Sequence, residues 1–114
     1  GSPALAQRVS DLLHDVGLEV HQEAERGFDH GMFIPLKVMF PKADIPVVQL
    51  SLRHGLSPAA HLEAGKALSP LRKESVLIIG SGMSFHNMSG YGDERFTTAS
   101  EQFDVWLKET IQSC

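Results

Sequence analysis

Two short runs decide how this chain reads: Ile45-Pro46-Val47-Val48-Gln49-Leu50 and Val76-Leu77-Ile78-Ile79. Both are apolar and rich in β-branched residues, the composition of strands buried on both faces. Between them, Ser57-Pro58 offers a capping hydroxyl followed by proline at the first helical position. That pair predicts a helix running to about Ser69, where Pro70 ends or kinks it. A strand, a helix and a second strand in this order make a crossover unit, which predicts adjacent parallel strands at 45–50 and 76–80.

Outward from this unit the signals are helical. Leu5, Val9, Leu12 and Val16 recur at helical spacing, and Gly17 stands where a helix across 3–16 would close. Leu18, Val20 and His21 then suggest a short strand. Asp29 is placed to cap a helix across His30–Phe40, made irregular by Pro35 and stopped by Pro41. Near the end, Thr98 and Glu101 have the spacing of a capping box, and Phe103, Trp106, Leu107 and Ile111 form one apolar face. The expected order is αβαβαβα. The expected fold is α/β, three layers around a parallel or mixed central sheet, with residues 1–114 as a single domain.

Composition narrows the function. With 42% hydrophobic and 21% charged residues, the chain has the make-up of an ordinary soluble globule. A net charge of −4 with no basic stripe argues against nucleic acid as a partner. No apolar run approaches the roughly 18 residues of a membrane span, and no signal peptide is expected, so the cytoplasm is the default location. The one cysteine, Cys114, cannot form an internal disulfide.

The segment from Gly80 to about Thr97 is a long loop holding Gly80, Gly82, Gly90 and Gly92. Long loops in compact domains are usually functional or disordered, and ligands of α/β sheets gather at the carboxyl ends of strands. Gly80-Ser81-Gly82-Met83-Ser84-Phe85 does not complete a dinucleotide loop, because the third glycine is missing and Phe85 would crowd a pyrophosphate. It is no nucleophile elbow either, since Ile79 and Met83 stand where glycines are needed. A hydrolase built on Ser81 or Ser84 with His86 has no acid partner in register.

Six histidines differ in context. His14 and His21 read as solvated. His54 and His61 make a poor metal pair without a third or fourth ligand. His30, after Asp29 at a helix start, and His86, beside Asn87 on the glycine-rich loop, are the better candidates. Imidazole serves as a metal ligand or as an acid and base near neutral pH, and Asp29 is suited to orienting a neighbour.

Several motifs occur in register. Arg26-Gly27-Phe28-Asp29-His30-Gly31 is followed by Pro35-Leu36, Met39-Phe40-Pro41, Ala43-Asp44-Ile45-Pro46-Val47 and Gln49-Leu50-Ser51. Ile78-Ile79-Gly80-Ser81-Gly82 leads to His86-Asn87, and Gly1-Ser2-Pro3-Ala4-Leu5-Ala6 fits the same pattern. Together they resemble the class III extradiol ring-cleaving dioxygenases, LigB-like proteins, in the branch of the 4,5-DOPA dioxygenases. The resemblance covers nearly the whole chain and weakens after Met88.

That resemblance implies an oxidoreductase that opens a catechol-type aromatic diol with O2 at a non-haem Fe(II), with Zn(II) in resting forms. It assigns His86 as the acid/base or an auxiliary metal ligand and His30 as a pocket residue; Asp29 and Asn87, the polar residues beside them, are expected to bind substrate with His30. Full-length members run to more than twice this length. Their main metal-binding histidines lie in upstream motifs, with a further ligand downstream, and nothing in this chain corresponds to these. This chain is therefore expected to be the central portion of such an enzyme and to hold no metal tightly alone. Self-association, or pairing with a complementary segment, is expected of a core cut in this way. The alternative is a non-catalytic truncated α/β module serving interaction or oligomerisation.

Overall fold

The computed structural model describes residues 1–83 and 86–113. Ser84, Phe85 and Cys114 lie outside the described residues, and with them the expectations for Ser84, Phe85 and the lone thiol. The elements are α1 (Pro3–His14), α2 (His30–Met39), α3 (Pro58–Leu68) and α4 (Thr97–Gln112), with short 3-10 turns at Ser69–Lys73, Met88–Gly90 and Glu94–Phe96. The chain divides into two compact units, Gly1–Ser81 and Gly82 onward.

The first unit is built on α1 and α3. Ser2 caps α1, its hydroxyl accepting from the Leu5 N–H at 3.4 Å, and Pro3 occupies the first turn. Gly17 closes the helix as its position predicts. At φ 77° it lets the Leu18 N–H reach the Leu13 carbonyl at 3.0 Å, while its own N–H reaches His14 at 2.8 Å. This is the Schellman pair of bonds, and Leu13 and Leu18 are both buried beside it. Val9, Leu13, Leu18, Leu68 and Leu71 form the core, Leu71 being only 2% exposed. Arg8 grips Glu74 with Nη2 at 2.8 Å and Nε at 3.2 and 3.3 Å, tying α1 to the turn after Leu71. That guanidinium holds the Glu74 carboxyl below its ordinary range.

Ser57 caps α3 and Pro58 starts it, as the sequence predicts. The expected α/β fold is not found. Among the described residues there is no strand and no sheet, so the three-layer αβαβαβα arrangement is corrected to a helical one. A strand exists only through a ladder of hydrogen bonds to a neighbour, and 45–50 and 76–80 have no such ladder among the described residues. Part of their apolar surface is open, Leu77 at 66% and Ile79 at 41%, while Val47 and Val48 are half-buried and Val76 packs against the core. The strand expected at 18–21 is also absent. Leu18 closes α1, and Gln22 folds back to donate to Gln7 Oε1 at 3.0 Å and Ser10 Oγ at 3.1 Å.

In the second unit the expected capping box does not form. Asp93 caps the 3-10 turn Glu94–Phe96 by accepting from the Arg95 N–H at 3.0 Å. The chain is therefore already turning when α4 begins at Thr97, and Thr98 falls inside the helix. Phe103 and Trp106 meet with ring centroids 5.4 Å apart on the predicted apolar face.

Candidate functional site

The first cluster of functional groups is at the start of α2. Asp29 is the N-cap residue by backbone position, with φ −89° and ψ 173°, yet its side chain makes no capping bond. Gln49 claims it instead. The Gln49 Nε2 group donates to Asp29 Oδ2, while the Asp29 backbone N–H donates to Gln49 Oε1 at 3.2 Å. One amide thus holds both the carboxylate and the main chain of Asp29, across 20 residues of sequence. The bond from Gln49 keeps the Asp29 carboxyl below its ordinary range, and the N–H groups of Met32 and Gly31 and the nearby His30 act in the same direction. Arg26 Nη2 approaches Asp29 Oδ2 at 3.9 Å.

The carboxylate also lies close over Gly31. A β-carbon there would stand 3.3 Å from Asp29 Oδ1, tighter than ordinary contact. His30, next to this fixed anion, is exposed, and its ring makes no hydrogen bond among the described residues.

Helix α2 carries the proline that the sequence places in it. Pro35 sits inside it, and the helix nevertheless runs unbroken from His30 to Met39. Proline has no N–H, so the carbonyl four residues earlier, that of Gly31, loses its helical donor. Ser81 supplies one: its hydroxyl donates to the Gly31 oxygen at 2.5 Å.

The second cluster lies in the other unit. His86, Asn87, Tyr91, Asp93, Phe96 and Glu101 line a groove of about 420 Å³, with Met83 and Met88 adding apolar surface. His86 is exposed, and its ring makes no hydrogen bond among the described residues. Asn87 is half-buried and holds the loop: its Oδ1 accepts from the Ser89 hydroxyl at 2.7 Å, and its carbonyl accepts from the Gly90 N–H at 3.0 Å. Asp93 is taken by Arg95, which keeps its carboxyl below the ordinary range. Gly90 approaches Phe96 so closely that a β-carbon would stand 2.6 Å from the ring.

The site residues expected from sequence therefore fall as two pairs, Asp29 with His30 in the first unit and His86 with Asn87 in the second. The contacts of Gln49 with Asp29 and of Ser81 with Gly31 were not expected from the sequence. Both residues stand in the quoted motifs, but only their partners show what they do. His61 is committed to structure. Its Nε2 accepts from the Arg53 N–H at 3.0 Å and its Nδ1 lies 2.7 Å from the Ser57 carbonyl, which fixes the Nδ1–H tautomer. Among the described residues no three His, Cys, Asp or Glu side chains converge on a common point. No helix among them is long and apolar enough to cross a membrane.

The Asp29 carboxylate is held by Gln49, and imidazole, exposed at His30 and at His86 in separate units, is a group that can exchange protons near neutral pH. The family described as the catalytic LigB subunit of aromatic ring-opening dioxygenase matches residues 1–113, and the chain belongs to it. Among individual proteins, the chain is 43% identical over 114 residues to the 4,5-DOPA dioxygenase extradiol of Beta vulgaris, covering 97% of this chain and 42% of that protein. It is 39% identical to the protein of the same name from Escherichia coli (strain K12), with the same coverage. Dioxygenase tasH of Hapsidospora irregularis is 42% identical over 90 residues, 77% of this chain and 28% of its own length. The chain thus spans less than half the length of these relatives. No solved structure gives a significant match.

Proposed function

We propose that this chain is the central portion of an extradiol dioxygenase that opens a catechol-type, DOPA-like aromatic ring with O2. One observation carries the reading: the family match runs from residue 1 to 113 and keeps Asp29-His30-Gly31 and His86-Asn87 in one chain. It favours an enzyme over a non-catalytic module. The reaction calls for a non-haem metal that gathers diol and O2, Fe(II) in the working enzyme and Zn(II) in resting forms. Its main ligands would come from the upstream and downstream motifs that the family resemblance implies, outside this chain.

The chain's own part is proton handling and substrate contact. His86 lies open beside aromatic and apolar side chains, a setting in which imidazole can take a phenolic proton and return it. Asn87, through its bonds to Ser89 and Gly90, holds the loop that presents His86. Asp29 and His30 contact the substrate, the carboxylate being kept charged by Gln49 and so suited to a cationic or hydroxyl group. The exposed run Leu77-Ile78-Ile79 supports association with a second copy or a complementary segment, and a cytoplasmic setting fits the lone cysteine.

The test is His86→Gln in the complete protein. Turnover of DOPA should fall about 10²–10⁴-fold, the range for losing a positioned acid/base group. Metal content and melting temperature should match the parent. Loss of metal together with activity would make His86 a ligand, and unchanged turnover would leave it a structural residue.

A further inference from the structure

The contact between Ser81 and α2 spans 50 residues of sequence, and its cause is visible in the helix itself. A proline inside a helix leaves the carbonyl four residues back without its N–H donor, and an unpaired carbonyl is costly unless another group or water takes it. In α2 that carbonyl belongs to Gly31, the second residue after Asp29. Ser81 stands between Gly80 and Gly82, where the glycine-rich loop leaves the first unit on its way to His86. We propose that Ser81 is a positioning residue: its hydroxyl takes the Gly31 carbonyl freed by Pro35 and pins the root of that loop to the turn bearing Asp29 and His30.

The turn is then tied from two sides. Gln49 holds Asp29 through its carboxylate and N–H, and Ser81 holds Gly31 through its carbonyl. Flanking glycines leave residue 81 otherwise free to wander, so the hydroxyl is what fixes where the loop begins. Pro35 and Ser81 form a matched pair, because the proline removes one donor and the serine supplies another to the same oxygen.

The pairing makes a specific non-additivity measurable in the complete protein. Ser81→Ala should lower the urea midpoint, and Ser81→Thr, which keeps the hydroxyl, should restore it. Pro35→Ala gives the helix its own donor for Gly31. In that background the loss on Ser81→Ala should shrink by half or more. Simple additivity of the two substitutions would overturn the proposal.

A second arm rests on the dioxygenase reading. With Asp29 and His30 as substrate contacts, Ser81→Ala should raise KM for DOPA about three- to tenfold, the scale of one lost hydrogen bond, with kcat within twofold. A merely structural serine would lower the folded fraction, and hence the apparent kcat, with KM unchanged. That result would also overturn the proposal. If the parent protein shows no turnover of DOPA, the dioxygenase reading fails, and the stability cycle alone decides the role of Ser81.

Discussion

Replacing Gly90 with alanine should deform the groove that holds His86, and the size of the effect follows from one close approach. Gly90 has no positive φ, so alanine is conformationally acceptable there and only the space matters. An added β-carbon would lie 2.6, 2.8 and 3.0 Å from Phe96 Cδ2, Cγ and Cε2, against the roughly 3.5 Å or more of ordinary carbon contact. The ring must retreat by about 1 Å, and because Cγ is involved it cannot simply swing its far edge away. Overpacking of this kind costs about 1–3 kcal/mol, and the half-buried setting of Phe96 places the value in the lower half of that range.

Trp106 is the chain's single tryptophan and lies in the same unit, against Phe103. Urea unfolding followed by its fluorescence should therefore report the loss directly. Phe96→Ala removes the ring that Gly90→Ala would strike. The alanine at 90 should then cost at most a few tenths of a kcal/mol in that background, an order-of-magnitude expectation for a relieved clash. Equal cost with and without the Phe96 ring would refute the reasoning, as would a Gly90→Ala protein as stable as the parent.

Other consequences follow from the contacts described. Gln49→Leu should move the Asp29 titration back up toward the ordinary aspartate range, observable by NMR of the carboxyl group. Because the folded-state value is depressed, the associated stability is present above the unfolded-state pKa of about 3.9 and is lost as pH falls through the lower folded value. The variant should therefore lose its stability difference from the parent in acid. Gly17→Ala should cost about 1 kcal/mol in thermal unfolding followed by circular dichroism, since φ 77° is costly for any residue with a β-carbon; an unchanged melting curve would count against the Schellman closure. His61→Ala should speed amide exchange at Arg53, whose N–H loses its acceptor, and Phe at 61 should not restore protection.

Helix starts and stops were legible in the sequence because their signals are local. Ser57-Pro58 opens α3 and Gly17 closes α1, each through bonds that reach only a few positions along the chain, and Asp29 stands just before α2 although its side chain is held by Gln49 instead of capping it. The same locality explains the misses. Ile45–Leu50 and Val76–Ile79 have the composition of strands, but a strand depends on a second segment to supply its ladder, and composition cannot name that segment. Leu18 and Val20 were drawn away from a strand because closing α1 and burying Leu18 was available within the adjacent turn.

The candidate site divides along the same line. His86, Asn87, Asp29 and His30 could be singled out from residue type and motif, because imidazole and carboxylate chemistry belongs to the side chain itself. Pro35 marked α2 as irregular in the sequence, but not which carbonyl would lose its donor. Which residue would answer, and which would hold Asp29, was settled only by folding. Gln49 and Ser81 reach their partners across 20 and 50 residues, distances at which no local preference acts and only the tertiary arrangement of the chain can bring donor and acceptor together.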